Sequence, residues 1–123
     1  MDISAEHSRM QGNHFLDRSH LVRICQGDGW KAKELAAYAV PVIWKALERI
    51  QRFLDRSDDP ALLSELHTLK GCVGIIEPDL VYGTVRQLEA DYPTLNASDK
   101  ATRFEILLDE VRTLCGELER FTE

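Results

Sequence analysis

The sequence predicts an all-α fold: an antiparallel, up-down-up-down four-helix bundle with a short N-terminal cap helix. Apolar residues recur at spacings of three and four over most of the chain, as on one face of a helix. Alternating apolar runs and glycine-rich hairpin dipeptides, which would indicate strands, are missing. The breaks between periodic segments are short, so neighbouring helices should be antiparallel and bury their apolar stripes against one another.

The N-terminal third predicts a leader, a short helix and a long helix. Residues 1–14 are polar and aperiodic and should form a flexible leader, which leaves 15–123 as the bundle domain. Asp17 or Ser19 can cap a short helix near 19–26, which "QGDG" ends. The long helix should run from about 30 to 54. Pro41 lies inside it and should kink it without ending it.

Two prolines predict the next two helix starts. In "RSDDP", Asp59 is expected to cap a helix that Pro60 opens, and in "EPD" an extended Glu77 should precede a helix opened by Pro78. The last helix should start in "YPTLNASD", with Asn96 or Ser98 as its cap. The apolar stripes expected on these three helices are Leu62, Leu66, Leu69, Val73 and Ile76; Val81, Val85 and Leu88; and Phe104, Leu107, Leu108, Val111, Leu114, Leu118 and Phe121.

Composition narrows the classes of function. With 123 residues, 44% of them hydrophobic, one core can form without staples. The net charge of -6 argues against binding to nucleic acid or to an anionic membrane. An apolar run long enough to span a bilayer and a secretory signal are both missing, and three cysteines without paired spacing favour a reducing compartment. We therefore expect a cytoplasmic location.

His67 is the candidate for chemistry, in the stretch "SELHTLKGCVG". At 100° per residue, it lies about 140° from Leu62 and therefore outside the predicted buried stripe. Lys70 follows one turn later, and Gly71 follows four residues after the histidine. Each glycine costs a helix about 0.5–1 kcal/mol relative to alanine, so Gly71 and Gly74 are expected to clear a surface for an approaching group.

This arrangement suits a nucleophile. A neutral imidazole can take up a phosphoryl group, and the Lys70 ammonium could bind the oxygens that such a group brings. The motif holds no nucleotide loop, metal cluster or general base of its own. A partner protein would therefore have to supply the metal ion and the rest of the transition-state stabilisation.

The stretch "LHTLKGCVGIIEPDLVYGTVRQLEA" resembles the signature of the histidine-containing phosphotransfer (HPt) domain family, and the resemblance extends over roughly residues 15–120. The positions that match the pattern without a gap are His67, Leu69, Lys70, Gly71, Gly74, Ile76, Val81, Leu88 and Glu89. Two departures stand out: Glu77 and Pro78 replace a customary glycine turn, and Cys72 and Val73 stand where small Ser or Ala residues are common.

The resemblance implies a four-helix bundle in which His67 accepts a phosphoryl group from the aspartate of a receiver domain and passes it to another. It also implies that Lys70 lies near the phosphoryl group and that Gly71 gives it room. Response-regulator receiver domains, and possibly a hybrid histidine kinase, would be the partners, without a cofactor and without autonomous kinase activity. We expect Leu63 and Gly74 to contribute to partner binding, and the protein to be a monomer.

Alternatives from other classes remain open at this point. The bundle could dock a receiver or another signalling protein without turnover, or hold a metal or cofactor between helices, although the stripes offer no inward carboxylate–histidine pairs. The last stripe could belong to a coiled-coil dimer. His7, His14 and His20 have no metal spacing and are interpreted as surface residues, and Trp30 and Trp44 as packing residues.

Overall fold

The structure, a computed structural model, describes residues 15–123, so the predicted leader 1–14 lies outside the described residues. Within them all regular structure is helical, which confirms the all-α prediction. The helices are α1 (Arg18–Ile24), α2 (Gly29–Asp55), α3 (Asp59–Ile76), α4 (Leu80–Asp91) and α5 (Ala97–Phe121), with one turn of 3₁₀-helix at Tyr92–Thr94 between α4 and α5.

The four long helices pack as a bundle around one apolar core. Helix α2 contacts both α3 and α5, α4 contacts α3 and α5, and α1 packs on α2. The expected stripes supply most of the core, because each helix turns its apolar face inward. The largest fully buried side chains are Leu21, Ile43, Ile50, Leu62, Leu66, Leu69, Val73, Val81, Val85, Leu107, Leu114 and Leu118.

Side-chain caps fix where the helices begin. Asp17 accepts a hydrogen bond from the backbone N–H of His20, and Asn96 from that of Asp99, so these two residues are the caps, while Ser19 and Ser98 lie inside the helices. The expected cap of α3 was wrong by one residue. Asp58 is the cap, and Asp59 is already helical ahead of Pro60. A proline at the second helical position still needs no hydrogen-bonding partner, because the first N–H groups of a helix have none.

Helix α2 passes through Pro41 without a break, as expected. The expectation for its tryptophans holds only in part. Trp44 is half-buried and packs against the core, whereas Trp30, in the first turn after the Asp28 cap, is 72% exposed. The turn at "QGDG" places Trp30 at the end of the bundle, beyond the buried Ala32.

The junction between α3 and α4 is built on a buried carboxylate. Glu77 is only 4% exposed, and its side chain accepts backbone hydrogen bonds from Asp79, Leu80 and Val81, at 2.9, 3.1 and 2.5 Å. Glu77 is extended as expected, but Pro78 does not open α4, which begins at Leu80. The carboxylate satisfies the free N–H groups of α4 in place of an Asp79 side-chain cap.

Two long-range hydrogen bonds hold the N-terminal segment on the bundle. The side chain of the buried Glu117 accepts hydrogen bonds from the backbone N–H groups of Phe15 and Leu16, both at 3.0 Å. His20 is partly buried, and its Nε2 lies 3.0 Å from the carbonyl oxygen of Ile75 at the end of α3. The interpretation of His20 as a plain surface residue is therefore corrected: it joins α1 to α3.

Replacing Glu77 by alanine should lower the free energy of unfolding by about 2 kcal/mol, because three N–H groups lose a charged acceptor. Glu77→Gln should cost about half as much, since the amide oxygen still accepts hydrogen bonds. Urea denaturation would measure both variants. The exposed Glu34→Ala is the control and should stay within about 0.5 kcal/mol of the parent protein. A Glu77→Ala protein as stable as this control would contradict the capping role.

Candidate functional site

His67 lies on the outer face of α3, opposite the residues that hold this helix in the core. Leu66 and Leu69 are fully buried on either side of it in sequence, whereas 71% of the His67 side chain is exposed. This is the direction that the helical spacing predicts. The ring is therefore open to a second molecule while α3 stays packed.

The surface next to His67 carries small side chains. Ser64, Thr68 and Gly71 are all exposed, at the positions three before, one after and four after the histidine. The Thr68 hydroxyl donates to the carbonyl oxygen of Ser64 at 3.3 Å, so its polar group is occupied within the helix. A Cβ atom added at Gly71 would meet nothing within 4 Å. An incoming group thus has space on the α3 side of the ring.

Glu89, on α4, connects the two polar residues of the motif. Its Oε2 lies 3.2 Å from Nδ1 of His67, and its Oε1 lies 2.7 Å from Nζ of Lys70. The side chains of Glu89 and Lys70 are each 23% exposed, well below the 71% of His67. One carboxylate therefore positions both the imidazole and the ammonium, with the ring as the accessible member of the three.

The charges of this triad favour an ionised Glu89. A hydrogen bond from Lys70 lowers the pKa of the Glu89 carboxyl below its ordinary value of 4.5, and the hydrogen bond with His67 adds to this effect against a smaller opposing effect of burial. The carboxylate accepts the proton on Nδ1, so the lone pair of the neutral ring is on Nε2, which points away from Glu89.

Sequence reasoning matched Glu89 to the family pattern but gave it no role. The signal was present in the register of the two helices. His67 lies nine residues before the end of α3 at Ile76, and Glu89 lies nine residues after the start of α4 at Leu80. Two helices that fold back on each other at a short turn bring such positions to the same level.

The two glycines of the motif differ in their surroundings. Gly71 is exposed with open space over it, whereas a Cβ atom at Gly74 would lie 3.0 Å from Cδ1 of the Tyr82 ring on α4. Gly74 thus has a packing reason, because the Tyr82 ring occupies the place of its side chain. The expectation that both glycines clear one surface is corrected for Gly74, and its contribution to partner binding stays a prediction.

Exposed apolar side chains lie further along α3. A groove of about 100 Å³ between α2 and α3 is lined by Leu35, Tyr38, Ala39, Val42, Ile43, Cys72, Ile75 and Ile76. Tyr38 and Ile75 are 69% and 58% exposed, and Ile75 follows His67 and Gly71 at helical spacings of four. Leu63, by contrast, is half-buried against the core, and its role in partner binding stays a prediction.

Other parts of the described chain offer less. The largest cleft, about 370 Å³, contains Asp59, Tyr92 and Lys100 and none of the predicted site residues. The Lys100 ammonium there pairs with Asp59 and lies 4.5 Å from the centre of the Tyr92 ring. Among residues 15–123, side chains of His, Cys, Asp and Glu form no group of three that could hold a metal ion. Every helix in this range is too short or too polar to traverse a bilayer.

The fold and the site together define a class: a helical bundle that presents a histidine, steadied by a carboxylate, on the outside of one helix. The model of the Hpt domain family matches residues 44–121, which is more than half of the chain. The chain therefore belongs to the Hpt domain family, as its resemblance predicted. Membership implies a part in phosphorelay signalling and interaction with receiver domains in general. No curated protein and no solved structure gave a significant match.

Alanine at the two glycines should have different effects on stability. Gly71→Ala should raise the free energy of unfolding by about 0.5–1 kcal/mol, because the helix gains propensity and the new methyl group meets open space. Gly74→Ala should be about 1–2 kcal/mol less stable than Gly71→Ala, because its methyl group displaces the Tyr82 ring. Thermal and urea unfolding would compare them. Equal stabilisation by both would contradict the packing role of Gly74.

Glu89 should make stability depend on pH in the acid range. Because the folded-state pKa of Glu89 is below 4.5, its ionised form stabilises the fold above the unfolded-state pKa, and this contribution is lost as the pH falls through the folded-state pKa. Unfolding free energies of the parent protein and Glu89→Gln, measured from pH 7 down to pH 3, should converge as the pH falls. A gap that stays constant over this range would contradict the assignment.

Proposed function

We propose that this domain is a phosphorelay intermediate. His67 accepts a phosphoryl group from the aspartate of one receiver domain and passes it to the aspartate of another. The observation that carries the proposal is the exposed imidazole whose Nδ1 faces the Glu89 carboxylate, 3.2 Å away, while the ring stays 71% accessible. The Nε2 atom would then be the nucleophile, and the small surrounding side chains would let the donor approach it.

The residues of the motif would divide the work. Glu89 would keep the proton on Nδ1 and orient the ring, in the way that a carboxylate orients a catalytic histidine. Lys70, one turn from His67, would bind phosphoryl oxygens, and Gly71 would leave room for them. The receiver would contribute the metal ion and most of the transition-state stabilisation, since phosphoryl transfer depends on positioning and charge neutralisation.

The proposed architecture is the up-down-up-down four-helix bundle of the described residues, with α1 as its cap helix and the leader outside it. Ion pairs between helices support this topology. Arg49 pairs with Glu65 across the turn between α2 and α3. Arg103, near the start of α5, pairs with Asp91 at the end of α4. Lys33, near the start of α2, donates to the backbone of Glu123, just past the end of α5. Each contact joins a helix start to a helix end, as antiparallel neighbours require.

A cytoplasmic monomer that meets receiver domains, possibly within a hybrid histidine kinase, is the setting we propose. Leu63, Gly74 and the groove beside Tyr38 and Ile75 would form the apolar part of the docking surface. That groove also supports a second candidate, a non-catalytic module that docks a receiver without turnover, because its apolar lining does not depend on His67. Receiver binding that persists unchanged in His67→Ala, without detectable transfer, would favour the second candidate.

Incubation with a panel of receiver domains, each phosphorylated on its aspartate, should transfer phosphate to this protein. The label should be acid-labile and base-stable, and His67→Gln should abolish it without loss of fold, because the ring is exposed. Labelling followed by tryptic mapping would measure this. The matched control is His20→Gln, which removes another histidine and should label like the parent protein. Equal labelling of His67→Gln, or none with any receiver, would overturn the proposal.

Gly71→Leu provides a second arm of this experiment. The larger side chain should leave the fold intact, since nothing lies over Gly71, yet reduce the transfer rate at least tenfold by filling the space beside the ring. Normal transfer by this variant would remove the clearance argument and leave the role of His67 standing.

A further inference from the structure

The Lys70 ammonium is already bound before any phosphoryl group arrives. Its Nζ lies 2.7 Å from Oε1 of Glu89, a short contact between opposite charges, and only 23% of the Lys70 side chain is exposed. A lysine waiting to stabilise an anion would be expected to point free into solvent. Here the unmodified site is internally neutralised.

Lys70 cannot serve two anions equally well. A phosphoryl group on Nε2 would lie on the side of the ring away from Glu89, because Nδ1 is the nitrogen that faces the carboxylate. Lys70 is three residues from His67, and its four-carbon stem can bring the ammonium to either group. Movement toward the phosphoryl oxygens lengthens or breaks the contact with Glu89.

We propose that Glu89 sets how readily His67 gives up its phosphoryl group, by competing with that group for Lys70. This inference rests on the proposed function of His67 and adds a regulatory role for one residue. Glu89 is a positioning residue in this account, since it acts through Lys70 and the imidazole. Its competition makes the phosphorylated state less stable than the lysine alone would make it, and so favours onward transfer.

The transfer step balances without a further reactant. The Nε2 lone pair forms the N–P bond while the P–O bond to the receiver aspartate breaks, and the released electron pair returns to the aspartate carboxylate. The proton on Nδ1 stays on the ring against Glu89. The reverse sequence passes the phosphoryl group to the next aspartate. Only the placement of the Lys70 ammonium differs between the two states of the domain.

The chemistry of the residue at 89 makes this role separable. A glutamine could accept the Nδ1 proton through its amide oxygen and would orient the ring almost as well. It would not form an ion pair with Lys70. The negative charge of Glu89, beyond its hydrogen-bonding capacity, is therefore what produces the competition, and Glu89→Gln removes this charge while changing little else.

The test is a cycle of four proteins: the parent, Glu89→Gln, Lys70→Gln and the double variant. Each is incubated with the receiver domain that labels the parent protein best, and the partition of phosphate between the receiver and His67 is measured once it is constant from both directions. Glu89→Gln should raise the phosphorylated-to-free ratio of His67 about fivefold when Lys70 is present. On the Lys70→Gln background, the change should be less than twofold.

Three outcomes would decide the matter. A fivefold shift that depends on Lys70 supports the competition. The same shift on both backgrounds, or a fall of the ratio in Glu89→Gln, overturns it and assigns Glu89 to ring orientation or direct charge repulsion alone. A parent protein that takes no phosphate from any receiver overturns the proposed function instead. Circular dichroism and the ¹⁵N shifts of the His67 ring should show the same fold and the same Nδ1–H tautomer in all four proteins, and a changed tautomer counts against the competition.

Discussion

The buried stripe of α3 is the constraint on which the site depends. Leu62, Leu66, Leu69, Val73 and Ile76 must all face the core, because burial of such side chains contributes roughly 1.5–3 kcal/mol each. Once they do, the helix has no rotational freedom left, and His67 has to point outward. The imidazole is thus presented by packing that never touches it. This separates the chemistry of the ring from the stability of the bundle, so the site can be altered without unfolding the protein.

Helix α4 completes the site from the other side. Its inner residues, Val81, Val85 and Leu88, fix its rotation, and the next position, Glu89, then lies at the edge of the interface, facing His67 and Lys70. The Tyr82 ring over Gly74 packs the same two helices together two turns away. Core contacts and site contacts therefore come from adjacent positions on the same pair of helices. The distances within the polar triad follow from how closely α3 and α4 approach.

The predictability of each feature depended on the range of the interaction behind it. Helix number and the outward direction of His67 follow from local periodicity, which the sequence displays directly. Helix starts were less certain at Asp-rich segments, where Asp58 and Asp59 could both cap. The role of Glu89 could not be read from composition, since it requires the register of two helices 22 residues apart. Burial of Glu77 and exposure of Trp30 were likewise set by tertiary placement, which overrides the ordinary preference of each residue type.

The Glu77 junction has an evolutionary consequence. A carboxylate that serves three backbone amides at once cannot be exchanged for glycine in a single neutral step, because those amides would lose their acceptor. Lineages that carry a glycine turn here and lineages that carry the Glu-Pro pair must differ at several neighbouring positions together. The pair is therefore an inherited marker for tracing descent within the family, independent of the histidine that all phosphate-carrying members must share.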